Sequence, residues 1–227
     1  MNRFVLCLVL LTSLVSCHKK DTFHISGNIY GANDGDTITL AYSPDGRKLE
    51  ILQQSIIKDG CFSFDGEAKE CQVGYICCTS ADYNFCKLFF IEKGDIVMLI
   101  DSMQWVVKGT PTNELSNVVE DSIKSYITRL EEIEEQYYSG SLSDEELEML
   151  GASGFNLQEQ LIDYIRKSVN ANIGNMLGLY MLVVYNDFFS IAELDTLIKQ
   201  IPPSSIDKAN NPFFNVITEI ADSRKGI

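Results

Sequence analysis

The chain has 227 residues, and Asp plus Glu outnumber Lys plus Arg by 32 to 18, for a formal charge of −14. So acidic a surface, with no stripe of Lys and Arg to offset it, repels phosphate backbones, which excludes nucleic acid as an expected partner. The length and a hydrophobic fraction of 45% suffice for one large domain or two small ones with real cores, and nothing in the composition suggests disorder.

At the start, Met1 to Arg3 is a short positive segment and Phe4 to Leu14 is an apolar run of secretory-signal length, too short to span a bilayer as a helix. Leu14-Val15-Ser16-Cys17 looks like a bacterial lipobox, a branched residue and a small residue ahead of the cysteine to be modified. The expectation is cleavage before Cys17, a diacylglyceryl thioether on its sulfur, and a lipid anchor in the membrane. Two or more acyl chains hold a protein on a bilayer, whereas one binds only marginally. An ordinary secretory signal with Cys17 as an unmodified first residue is the competing reading, but Leu14 fits its small-x-small pattern poorly. His18, where an inner-membrane retention signal would place Asp, favours the outer membrane; Lys19 and Lys20 either lie at the headgroups or form a solvated tether.

From Phe23 to Lys108 the pattern has period two. Phe23, Ile25 and Ile29 alternate with polar residues, and Gly31 to Asp36 leads into Thr37 to Tyr42, which reads as a hairpin. Further strands are expected at Leu49 to Ile57, Cys61 to Phe64, Val73 to Thr79, Cys86 to Ile91, Ile96 to Ile100 and Trp105 to Val107, with turns at 43–46 and 81–84 among others. About eight strands at such intervals predict an antiparallel sandwich or barrel.

Of the seven cysteines, Cys7 leaves with the signal and Cys17 takes lipid, so Cys61, Cys71, Cys77, Cys78 and Cys86 remain, an odd set. All lie among apolar strand residues and are read as buried structural thiols; a disulfide inside the sheet, Cys78 with Cys86 for instance, is the alternative. Cys77 and Cys78, adjacent on a strand, point to opposite faces, which argues against a bond between them.

Beyond Gly109-Thr110-Pro111-Thr112-Asn113 the period changes. Leu115, Val119, Ile123, Tyr126, Leu130, Ile133 and Tyr137 form one helical face, and acids such as Glu131, Glu132, Glu134 and Glu135 read as its solvated side. This helix approaches a heptad, which would suit dimerisation, although packing within its own bundle is the stronger expectation. Ser143-x-x-Glu146 is a capping box, Gly151 to Gly154 is expected to break the second helix, and Leu157 to Val169 resumes it. An almost wholly apolar helix from Ile173 to Tyr185 predicts burial. Ser190-x-x-Glu193 opens another, stopped by Pro202-Pro203, and Asn211-Pro212 starts the last.

The stretches Phe23 to Gly31, Asp34 to Leu40, Ile91-Glu92-Lys93-Gly94-Asp95-Ile96 and Val107 to Asn113 resemble a β-domain family of unknown function. That family is typical of lipoproteins from Bacteroidetes-type bacteria, in which the β domain and a helical segment usually precede a thioredoxin-like, TlpA/ResA-type module. The resemblance implies no catalytic residue. It also implies a redox module with a Trp-Cys-x-x-Cys pair, whereas this chain ends at Ile227 with no Cys-x-x-Cys and its one Trp, Trp105, away from any Cys pair. On this reading the chain is a stand-alone or a truncated form.

His18 and His24 are too few and too separated for zinc spacing, and Asp34-Gly35-Asp36 lacks the rest of a calcium loop and reads as turn chemistry. No nucleotide-binding or hydrolase fingerprint appears. The expected fold is therefore α+β: signal 1–17, tether 18–22, a β-sandwich or barrel-like domain 23–110 and an α-helical domain 111–227. Cys17 is the one assigned site, for lipidation, with no catalytic, metal or cofactor residue assigned. The function expected is a lipid-anchored, non-enzymatic binding or scaffolding module, with a partner protein in the envelope. An accessory to a separate thiol-disulfide oxidoreductase comes second, and a hydrolase without a recognisable motif last.

Overall fold

The computed structural model describes residues 21–43, 48–79, 84–101, 105–140, 142–204 and 206–226. Cys17, the rest of the signal, the first part of the tether and most of the turns expected at 43–46 and 81–84 lie outside the described residues.

Eight strands form two four-stranded sheets. The strands are β1 (Thr22–Ile29), β2 (Thr37–Tyr42), β3 (Glu50–Ile56), β4 (Cys61–Glu67), β5 (Gln72–Thr79), β6 (Asn84–Ile91), β7 (Gly94–Ile100) and β8 (Trp105–Lys108). The first sheet runs β4-β1-β7-β8 and the second β3-β2-β5-β6. Every pairing is antiparallel except β1 with β7, which run parallel with Ile25 beside Ile96. Alternation does the sorting: on β4, Phe62 and Phe64 turn inward while Cys61, Ser63 and Asp65 face out. Ile25, Phe64, Ile96 and Met98 of the first sheet share one core with Ile38, Leu40, Ile76 and Phe89 of the second. Burial of each such side chain contributes about 1.5–3 kcal/mol.

The expected β1–β2 hairpin is absent. Gly31 to Asp36 carries the chain from the first sheet to the second, and β1 instead pairs with β4 and β7. Ile25 and Ile29 on one strand and Ile38 and Leu40 on the other each need a buried face, and placing the strands in opposite sheets buries both sets in the same core. The turn chemistry itself is as read: Asp34 Oδ1 accepts the Asp59 N–H at 2.7 Å, and Asp36 Oδ2 accepts the Asn33 N–H at 3.3 Å.

Five α-helices follow: α1 (Pro111–Tyr137), α2 (Asp144–Asn172), α3 (Met176–Val184), α4 (Ile191–Gln200) and α5 (Pro212–Lys225). Ser143 with Glu146 and Ser190 with Glu193 form the two capping boxes, and Asn211 caps α5 ahead of Pro212. The break expected at Gly151 to Gly154 does not occur, because α2 runs through it. A glycine costs about 1 kcal/mol in a helix, and Gly154 returns packing: a Cβ there would stand 3.3 Å from Ile133 Cγ2, so the missing methyl lets α1 and α2 lie close. The apolar helix is shorter than expected, since Asn175 caps it by accepting the Gly178 N–H at 3.1 Å, and Met176, Leu177, Leu179, Met181 and Leu182 are buried.

The helices cover the outer face of the second sheet at β5 and β6, and Val73 and Phe90 belong to the helical core. Along most of β5 and the second half of β6 both faces are covered, which is why Tyr75-Ile76-Cys77-Cys78 and Leu88-Phe89-Phe90-Ile91 lack polar alternation.

Candidate functional site

Helix α1 meets the sandwich on the side where β6 and β8 are the edge strands. Asn113, 2% exposed, accepts the Phe90 N–H through Oδ1 at 2.8 Å and donates from Nδ2 to the Phe90 carbonyl at 2.7 Å, with Thr110 Oγ1 at 2.8 Å. The side-chain amide thus stands in for a neighbouring strand at Phe90. One turn on, Asn117 Nδ2 donates to the Val107 carbonyl of β8 at 2.6 Å. Glu92 caps the helix from outside, its carboxylate accepting the Thr112 N–H at 2.7 Å and hydroxyl at 2.8 Å. Negative charge there also suits the helix N-terminus. Gly109 has φ +95°, and a Cβ on it would meet Asp95 O at 2.2 Å. The residues quoted for the family resemblance around 91–96 and 107–113 therefore form one latch that joins the sheets to the helix.

This latch alters the helical face read from the sequence. At the start of α1, Asn113 and Ser116 take the buried positions in phase with Val119 and Ile123, and Leu115 turns to solvent at 37% exposure. Beyond Ser116 a groove of about 580 Å³ opens between β6, α1 and α3. Leu88, Val119, Ile123, Leu177 and Met181 supply apolar wall, Tyr180 and Tyr185 line it, and Trp105 stands at the sandwich end. Glu120 and Asp121 bring acid, Lys87 and Lys124 base.

The groove walls partly desolvate the Glu120 carboxyl and hold it above the ordinary carboxylate range. Asp121 adds in the same direction, while a 2.8 Å hydrogen bond from the Ser116 hydroxyl and the charge of Lys87 oppose. Burial first, then the charge of Glu120, pushes the Tyr180 phenol up to about 12, and Tyr185 moves the same way. Both phenols are therefore neutral donors at ordinary pH.

The cysteines depart from the reading of five buried thiols. Cys77 and Cys86 are joined by a disulfide, Cys78 is buried, Cys71 is half-buried and Cys61 is exposed. The alternative pairing is displaced by one residue: Phe85 stands opposite Cys78, and Cys86 stands opposite Cys77 on the outer face of the second sheet. Adjacent cysteines face opposite ways, so the register of β5 against β6 decides which one finds a partner. Burial and the Glu92 charge, against a hydrogen bond to Thr112, push the Cys71 thiol up to about 12; burial and Asp36 raise Cys78. Cys86 is solvent-exposed at the end of the strand row that continues through Leu88 to Phe90.

His24 lies on the uncovered face of the first sheet, its Nδ1 2.7 Å from Asp65 Oδ1. Among the described residues no three His, Cys, Asp or Glu side chains gather as a metal site. The structure brings Glu92, Asn113 and Asn117 to one place, a role the sequence reading did not assign. The signal was present in Asn113 and Ser116, polar residues in phase with Val119 and Ile123.

Compared with known families, residues 23–116 match the family described as a domain of unknown function (DUF4369). The match runs past the boundary expected at 110 and takes in Thr112, Asn113 and Ser116. No curated protein matches the chain.

Proposed function

We propose that the protein is a lipid-anchored binding module of the cell envelope, held to the membrane through Cys17, which offers the groove between β6, α1 and α3 to a partner protein. The groove carries the reading. Apolar walls with a few convergent polar groups are the make-up of sites that take ligands, and here two of the walls, β6 and α1, are joined by the Asn113 hydrogen bonds to Phe90. The anchor rests on Leu14-Val15-Ser16-Cys17, and its placement in the outer membrane on His18.

A photo-cross-linking residue placed at Ile127 on the groove, and another at Ser63 on the opposite uncovered sheet face, test the site in the native host. A discrete adduct from Ile127 alone is expected. Adducts of the same kind from both positions, or from neither, would end the reading. Cys17→Ser is expected to release the protein from the membrane fraction.

The exposed Cys77–Cys86 disulfide favours a second reading, that the chain is an accessory to a separate thiol-disulfide oxidoreductase of the kind the family resemblance implies. Exposed disulfides are the more labile ones. In this reading a partner thiolate attacks the Cys86 sulfur, Cys77 departs as the thiolate, and the partner's second thiol resolves the mixed disulfide. The partner becomes oxidised, and Cys77 and Cys86 become a dithiol. Differential thiol alkylation in the native host that finds no reduced fraction of Cys77 and Cys86 removes this reading and leaves the first intact.

A further inference from the structure

In an antiparallel pair the N–H and C=O of successive residues point alternately to the two sides of the strand. Phe90 turns both groups away from β5 to Asn113, so Leu88 and Cys86, two and four residues earlier on β6, turn theirs the same way. Among the described residues these outward groups have no backbone partner. The latch therefore closes the edge of the second sheet at Phe90 and leaves it open along the groove.

We propose that the groove binds an extended peptide segment that adds as a strand to β6 at Leu88 and Cys86, with lysine or arginine side chains alternating with apolar ones. The proposal rests on the groove being the binding site and names its occupant. Asn113 already shows that this edge accepts an amide, and strand addition draws its affinity from such backbone pairing and its selectivity from alternate side chains. The apolar positions would lie on the Trp105 face of the added strand and the basic ones on the Leu88 face, towards the acids of the groove. The basic ones are favoured by charge: the chain carries −14, and Glu120, whose carboxylate accepts one hydrogen bond among the described residues, from the Ser116 hydroxyl, faces the groove beside Asp121. Lys87 and Lys124 also line it, and neither is within ion-pair distance of these acids. A cation laid beside Glu120 would offset the desolvation that raises its carboxyl.

The test titrates the detergent-solubilised full chain with a fluorescent Val-Lys-Val-Lys-Val-Lys peptide, an alternating Val-Glu peptide, and two N-methylated forms of the lysine peptide, methylated at the odd or the even residues. Amide hydrogen exchange at Cys86 and Leu88 is followed alongside. One methylation phase is expected to weaken binding at least tenfold and the other to leave it nearly unchanged, because one edge of an added strand pairs with β6. Both amides should slow their exchange, and the glutamate peptide should bind at least tenfold more weakly. Glu120→Gln should weaken the lysine peptide several-fold with the fold retained by circular dichroism.

Equal binding of both methylated forms overturns strand addition while leaving the groove a binding site. Failure of the lysine peptide to bind, with a discrete Ile127 adduct still formed in cells, overturns the basic strand alone. Protection of the two amides that rises with protein concentration in the absence of peptide would assign the edge to a second copy and overturn the peptide as occupant.

Discussion

Replacing Asn113 by Ala removes the acceptor for the Phe90 N–H and the donors to the Phe90 carbonyl and Thr110 hydroxyl. Leaving a buried backbone group unsatisfied costs about 1–3 kcal/mol. Two such groups on Phe90 add to about 2–6 kcal/mol, and water entering the vacated amide space relieves part, so the expected loss is about 3 kcal/mol. That corresponds to about a 150-fold fall in the folding equilibrium constant. With a urea slope of about 2–3 kcal/mol per molar, the unfolding midpoint should drop by about 1–1.5 M. Asn117→Ala, which gives up one bond to Val107 from a half-buried position, should cost about 1 kcal/mol. Asn113→Asp keeps the Phe90 N–H acceptor but turns a carboxylate towards the Phe90 carbonyl, so its deficit should deepen as pH rises above the carboxylate range. An Asn113→Ala midpoint within about 0.2 M of the parent, or a cost no larger than that of Asn117→Ala, would refute the view that this amide replaces a strand.

Gly109→Ala should destabilise by at least about 2 kcal/mol, since φ +95° is strained for alanine and its Cβ would meet Asp95 O; thermal unfolding measures it. The loop closed by Cys77–Cys86 is short, with a sequence separation of 9, so replacing both cysteines by Ala should cost about 2.5 kcal/mol in denaturant unfolding. In native protein at pH 8, maleimide followed by peptide mass mapping should label Cys61 first, with Cys71 and Cys78 reacting only after unfolding. Because the Glu120 carboxyl is raised in the folded protein, the folded state holds its proton longer. Stability present below the ordinary carboxylate value is lost as pH rises through the folded value, so the stability of Glu120→Gln relative to the parent should climb between pH 4 and pH 7.

The sequence by itself determined what is local. Period two over 23–108 and period 3.6 beyond it placed the strands before the helices, and Ser143 with Glu146, Ser190 with Glu193 and Asn211 with Pro212 marked helix starts, because caps are settled within one turn of chain. Tertiary structure alone decided who meets whom. Alternation tells which face of a strand is apolar, and that face is equally satisfied by a sequence neighbour or by a distant strand, so β1 could bypass β2 for β4 and run parallel to β7. The same degeneracy hid the Cys77–Cys86 bond, which depends on one residue of register. It also hid the place of Asn113, a polar residue buried because the edge of a sheet far along the chain needed an amide that its own strands did not supply.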